Sequence, residues 1–446
     1  MTNIDGEYGA KESEDSTWDI EDFLPVTPLQ EGLIFHSLYG GQAQDPYVVP
    51  MVLELDGPLD TATLRASVQA LVNRHPSLRA GFVHEGLDQP VQIIPRRVEI
   101  PWRVVDLSDL DVIGQNEELS RLLEEDSAGR FDLEAGPLLR IMVVRLSSRK
   151  HQLVITSHHL IWDGWSVPVL VRELFEIYAA GADSRGLAPA PLYRDFLSWL
   201  SAQDRDAAEI VWREVLAGVD GPTLLAEQTT VVPAGGAGER DVVESWLSEE
   251  LTSALISVAR QCGTTMGTVL QGTWGVLLSR MTGRDDVVFG TVVSGRPAQL
   301  PGVESMIGLF INPIPIRLRP ESSVSVSALL EQLQQDRIRV LDHQYLGLSD
   351  ICRMTGNNEL FDTLLVFENY PLDPDLLSLP GTDLTITGVS AQDSTHYPLD
   401  ITVVPGSRMR LRLGFRSDVF DRSTVESLVA RWVRVLEAVA ADPGCR

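Results

Sequence analysis

The segment ITSHHLIWDGWSVP, Ile155 to Pro168, sets two histidines, an aspartate and a glycine into the seven positions His158 to Gly164. The apolar and β-branched residues from Leu153 onward predict a strand that runs into a tight turn. Side chains alternate faces along a strand, so His158 and His159 point opposite ways and one metal ion does not readily take both. Asp163 is within reach of His159 across the turn, yet two groups make a poor metal site. No other His/Cys/Asp cluster in the chain completes one. A catalytic reading needs one imidazole in a channel, with a pKa near neutrality, close to a nucleophile's proton. Gly164 permits the turn and a close backbone approach to a substrate. From the residues alone, a catalytic histidine and a structural pair both stay open.

Outward from this segment the chain alternates strand and helix patterns. Tyr47–Gly57 reads as a strand. Leu64, Val68, Leu71 and Val72 recur at helical spacing behind an Asp60 N-cap. LLRIMVVRLSSRKHQLVITSHH reads as two strands joined across Ser147–Lys150, and Val167–Gly181 as a helix ending at glycine. The Gly-, Pro- and Ala-rich GADSRGLAPAPLYRDF then marks a lobe boundary. It divides an N-terminal lobe, 19–181, from a C-terminal lobe, 182–446, with residues 1–18 as an acidic disordered tail. In the second half, SRMRLRLGFRSD alternates basic and apolar residues, the pattern of a half-exposed strand. Trp274 and Trp432 fall within apolar helical patterns and are assigned to the core.

Composition narrows the function classes. At 446 residues, the chain exceeds the usual size of one hydrophobic core, so two lobes are expected. A net charge of −27 disfavours nucleic acid and an anionic membrane surface as partners. No apolar run reaches membrane-spanning length, and the N-terminus lacks a signal pattern. Three well-separated cysteines suit a reducing cytoplasm without disulfides. There is no G-x-S-x-G elbow, P-loop or dinucleotide fingerprint, and no cysteine sits in a basic cluster of the kind that lowers a thiol's pKa. Direct acyl transfer is what remains, in which one substrate attacks another while the protein supplies a base and orientation.

HHLIWDG resembles the HHxxxDG motif of nonribosomal peptide synthetase condensation domains. Around it, LPVTPLQEGLIFHSL (Leu24–Leu38), NRHPSLRAGF (Asn73–Phe82), FDLEAGPLLR (Phe131–Arg140) and LYRDFLSWL (Leu192–Leu200) are similar to that family's landmarks. VVSGRPAQLPGVESMIGLFIN (Val292–Asn312), HQYLGLSDI (His343–Ile351) and FDTLLVFENYP (Phe361–Pro371) continue in the family's order. The resemblance covers about Ile20 to Pro443. It implies two chloramphenicol-acetyltransferase-like α/β lobes in a V-shaped pseudo-dimer, with a central tunnel and segments crossing from the C-terminal lobe to the N-terminal one.

The resemblance also implies an acyltransferase that joins a carrier-protein-bound aminoacyl thioester to an amine or alcohol acceptor. Phosphopantetheine would arrive on the carrier, and no cofactor or metal would be bound. By match to the motif, His159 is the catalytic residue. His158, Asp163, Gly164 and Arg296 support it, with Asp163 paired to Arg296 and the Gly164 N–H near a developing oxyanion. Trp165, Ser166 and Asn312 are implied tunnel contacts. His396, in DSTHYPLD, is a candidate near the tunnel. Pro313 replaces the hydroxyl residue common after the asparagine, and Pro315 follows. No adenylation or carrier segment follows either, as in free-standing condensation enzymes such as those of enediyne biosynthesis. The competing expectations are a catalytically silent docking platform for carriers and an acyl-CoA-dependent acyltransferase.

Overall fold

The segment ending in the paired histidines is a strand, Lys150–His158, at the middle of a five-stranded sheet. Across that sheet the order is Thr385–Ala391, Val48–Asp56, Lys150–His158, Leu139–Arg145 and Trp102–Asp106. Neighbours are antiparallel except for the last pair, which is parallel. The computed structural model of the chain describes residues 19–39, 45–226, 240–321, 323–368, 382–391 and 394–445. The acidic stretch 1–18 lies outside them.

The central strands read as near-continuous apolar runs because both faces of the sheet are covered. On one face Met51, Leu53, Ile141, Val143, Leu153 and Ile155 meet the helices Thr61–Arg74 and Val167–Ala179. On the other, Val52, Met142, Val144 and Val154 pack against Leu119 and Leu122 of the helix Val112–Ala128. Asp60 caps its helix as its position predicts, accepting from the Ala62 and Thr63 amides.

A second sheet of six strands runs Asn312–Leu318, Val287–Val293, Thr363–Phe367, Leu399–Val404, Arg410–Arg416 and Arg240–Trp246. Helices Glu249–Gln261, Met266–Thr282 and Arg422–Ala441 cover it. At their centre the fully buried Trp274 and Trp432 meet edge to face, with ring centroids 5.7 Å apart. Pro313 and Pro315 sit on the edge strand, where missing N–H donors can face away from the sheet. A small sheet of Ile20–Pro25, Val91–Pro95 and Gly81–Val83 completes the architecture.

Segments late in the chain build into the first half. Thr385–Ala391 is an edge strand of the first sheet, and Ile307, Leu309, Leu384 and Ile386 lie in its core. These crossings bring the turn after His159 against residues 308–311.

Candidate active site

His159 follows directly on the strand end, and its backbone N–H donates to the Tyr47 carbonyl (2.8 Å). The ring is half-buried, and Nδ1 lies 3.0 Å from the Trp162 carbonyl oxygen. A carbonyl only accepts, so Nδ1 carries the hydrogen. In the neutral ring, the lone pair is therefore on Nε2. His159 lines a cavity of about 410 Å³ together with Gly164, Val49 and Met51. The site thus sets a ring with a proton-accepting nitrogen beside the turn glycine at a cavity.

His158 lies on the opposite side of the strand and is fully buried. Its Nδ1 accepts from the Leu160 N–H (3.1 Å), which places the hydrogen on Nε2, facing Ser37 Oγ (3.2 Å) and Asp45 Oδ2 (3.4 Å). Burial lowers its pKa and outweighs the opposing pull of Asp45. His158 does not line the cavity, and the geometry makes it a fastening between the strand, Ser37 and Asp45.

Asp163 is 1% exposed and saturated with donors. Oδ1 accepts from Ser166 N (3.1 Å), Ser166 Oγ (3.1 Å) and Arg296 Nη2 (3.3 Å), and Oδ2 from the amides of Phe310 (2.9 Å) and Ile311 (3.2 Å). Arg296 also donates to the Val303 and Met306 carbonyls, and its guanidinium stacks 4.0 Å over the Phe310 ring. A buried carboxylate needs this many partners to offset its desolvation. The carboxylate is consumed in holding the turn, and none of it is offered to His159.

Three residues expected in the tunnel wall do not line the His159 cavity. Ser166 is fully buried, with its hydroxyl on Asp163 and the Gly308 carbonyl (3.0 Å), so it does not line the cavity. The single 3₁₀ turn Gly164–Ser166 rotates it inward. Trp165 is half-buried and does not line that cavity either. Asn312 lines a separate cavity of about 420 Å³, and its amide donates to the Gln344 and Leu346 carbonyls, both at 2.8 Å. It fastens that loop.

His396 also lies outside the His159 cavity. Its Nδ1 is 2.7 Å from Tyr47 Oη, and its ring stacks on His36 at 4.1 Å. Burial, then the charges of His36 and Arg240, push its pKa down to about 3, so the neutral imidazole accepts from the tyrosine.

Several contributors carried no assigned role in the sequence. Asp45 and Tyr47 position the histidines from a remote segment, and Ser37 does so from within the Leu24–Leu38 landmark. Ser157 shares the His159 face of the strand at i−2 and lines the cavity, a place that alternation alone could have supplied. Arg410 and Arg412 line it from the second sheet. The alternation of SRMRLRLGF revealed a half-exposed strand, with Arg410 and Arg412 half-buried, but not that these two residues line this cavity.

The sequence matches the family model of the condensation domain over residues 20–445. It is 35% identical over 469 aligned positions to chondramide synthase cmdD of Chondromyces crocatus, covering 95% of this chain but 12% of that protein. The chain thus spans only a small part of the length of the curated relatives it matches. Among solved structures, the X-domain from teicoplanin biosynthesis superposes with a TM-score of 0.80 at 23% identity, covering 95% of this chain and 96% of the other. SgcC5 from Streptomyces globisporus, bound to a naphthyl ethanediol and sucrose, superposes at 0.76 and 22% identity, covering 94% and 99%. At these identities the structural likenesses establish the fold, a mixed α/β chloramphenicol-acetyltransferase-like architecture.

Proposed function

The chain belongs to the condensation-domain family of nonribosomal peptide synthetases, whose general chemistry is amide-forming acyl transfer, and from that premise we propose that it transfers an aminoacyl group from a carrier-bound thioester to an amine or alcohol. The observation that carries this reading is the tautomer of His159. With Nδ1–H given to the Trp162 carbonyl, Nε2 is left as a proton acceptor on the ring that lines the cavity.

In the proposed reaction the acceptor's N–H or O–H is oriented by His159 Nε2 and gives up its proton there as the nucleophile adds to the thioester carbonyl. The tetrahedral oxyanion forms beside the Gly164 backbone, and its collapse breaks the C–S bond. The proton held by His159 passes to the leaving thiolate, giving amide or ester and free carrier thiol. The phosphopantetheine belongs to the carrier, and the reading includes no metal or resident cofactor. An ester-forming variant is supported by the diol bound to SgcC5.

The test is a carrier loaded with an aminoacyl group and offered amine and alcohol acceptors. Wild type should release acyl product, and His159→Ala should not. Stable carrier binding by wild type without release from any acceptor would instead favour a docking platform. The acceptor consumed decides amide against ester.

A further inference from the structure

His159 stands one residue beyond the end of its strand, where a hydrogen-bond ladder ordinarily frays. Its backbone N–H is held by the Tyr47 carbonyl (2.8 Å), and Tyr47 stands one residue before the strand Val48–Asp56. That bond is the end rung between the two strands, and the base of the proposed chemistry hangs on it. An end rung keeps its geometry where something further fixes one of its residues.

Tyr47 is fixed at every polar group. Its N–H donates to Asp45 Oδ1 (3.0 Å), its carbonyl takes the His159 N–H, and its Oη lies 2.7 Å from His396 Nδ1. The residue is 3% exposed, so water does not compete for these bonds. Burial raises the pKa of the phenol well above its ordinary value and lowers that of the imidazole, so the tyrosine donates and His396 accepts. His396 is held in turn by the His36 ring, stacked 4.1 Å from its own.

His159 has a second tie with the same destination. Its ring donates to the Trp162 carbonyl, and the next residue, Asp163, accepts from Arg296 and from the amides of Phe310 and Ile311. Backbone and ring are thus fastened by separate routes, and both end on residues of the second half of the chain. The route through Tyr47 involves no residue of the HHxxxDG motif other than His159 itself.

We propose that Tyr47 and His396 are a positioning pair for His159, which holds its imidazole in the reactive placement through the end rung of the sheet. Neither residue lines the His159 cavity, so their effect on acyl transfer passes through His159. The proposal rests on the acyl-transfer reading and adds to it the residues that set the base. Misplacing a reacting group by about 1 Å costs about a hundredfold in rate, so a modest loosening is readable.

The first test is acyl transfer from a loaded carrier to an acceptor that wild type consumes. Tyr47→Phe and His396→Leu should each lower kcat about tenfold or more, with KM within about twofold of wild type. Their double variant should be no slower than the slower single one, because each removes the same bond. His396→Asn sets an amide oxygen near the place of Nδ1 and should recover most of the lost kcat. Thr273→Val removes a buried hydrogen bond from Trp432 Nε1 in the second half, which controls for lost stability, and should leave kcat in place.

Nitrogen NMR of histidine-labelled protein reads the placement without turnover, with His159 assigned from His159→Ala. Wild type and His396→Asn should show one sharp Nδ1–H tautomer for His159, and Tyr47→Phe and His396→Leu a broadened or mixed one. A kcat indifferent to both single variants, or lowered as much by Thr273→Val, overturns the proposal. So does a His159 spectrum that neither variant alters. Absence of acyl transfer by wild type would sink the acyl-transfer reading, and the spectrum alone would then decide the pair.

Discussion

At His159 and His158, two neighbouring imidazoles are set to different tasks by what each Nδ1 meets. The His159 Nδ1 hydrogen goes to a carbonyl, while the His158 Nδ1 accepts an amide. The consequences of substitution should therefore separate. His159→Ala should cut acyl-transfer turnover by about 10²–10⁴-fold, the range of a lost general base. Its denaturant midpoint should stay near that of wild type, because the ring is half-buried at a cavity. His158→Ala should do the reverse at the first step. It takes one partner from the buried Asp45, leaves the Leu160 N–H without its acceptor, and should cost about 1–3 kcal/mol or more in urea unfolding. Strand alternation makes the opposed directions of the two rings legible in the sequence. Which side of the strand holds a cavity is not legible, because that depends on Tyr47, Gly164 and a second sheet far along the chain. Ser166 misled for a similar reason. A hydroxyl next to a site motif reads as a substrate contact until the 3₁₀ turn carries it to the Gly308 carbonyl.

At the scale of elements, the turn after the strand is fixed by its attachment to residues 295–311. Asp163 and Arg296 are both almost wholly buried, at 0% and 2% side-chain exposure, so removing one strands the other. Arg296→Ala should destabilise the fold by about 3–5 kcal/mol, whereas a double substitution with Asp163→Ala should cost less than the sum. A double-mutant cycle in denaturant checks this, and additivity would show that the pair does not act as a unit. Gly295 makes the same attachment possible. Its φ is +62°, and an added Cβ would stand 1.8 Å from the Phe310 carbonyl oxygen, a backbone atom. Gly295→Ala should therefore cost more than about 1 kcal/mol. The helices and strands themselves were legible, since 3.6- and 2-residue periods follow directly from which face is buried. The sheet to which a strand belongs was not. Thr385–Ala391 pairs with Val48–Asp56, more than 300 positions away, and no local period encodes that choice. For the same reason Arg410 and Arg412, read as the polar side of a half-exposed strand and half-buried in the structure, gave no sign of lining the cavity beside His159.

At the scale of the molecule, the two halves meet through neutral histidines, and this sets how stability should respond to acid. His396, just before a strand of the second sheet, accepts from Tyr47 and stacks on His36 of the helix Pro28–Tyr39, both in the first half. Burial lowers the pKa of His36 and His158 as well, while that of His396 falls to about 3. In the unfolded chain each imidazole takes up a proton near its ordinary value of about 6.5. Below that pH the unfolded state binds more protons than the folded one, so unfolding free energy must fall as pH drops. The contribution of these histidines is complete above about pH 7 and declines through pH 6 to 4. In the upper part of that window, above about pH 5, carboxylates with lowered pKa values, such as Asp45, have yet to titrate in either state. Urea unfolding at intervals from pH 7.5 to 4.5 should show this decline. His396→Gln, which cannot take the proton, should flatten it by up to one proton's worth of slope. Tyr47→Phe removes the donor but not the imidazole, so it should lower stability by about 1 kcal/mol at neutral pH and keep a declining slope. Stability that is level or rising on acidification through this window would show that these imidazoles are protonated within the fold, and the stacked contact between the halves would then need a different account.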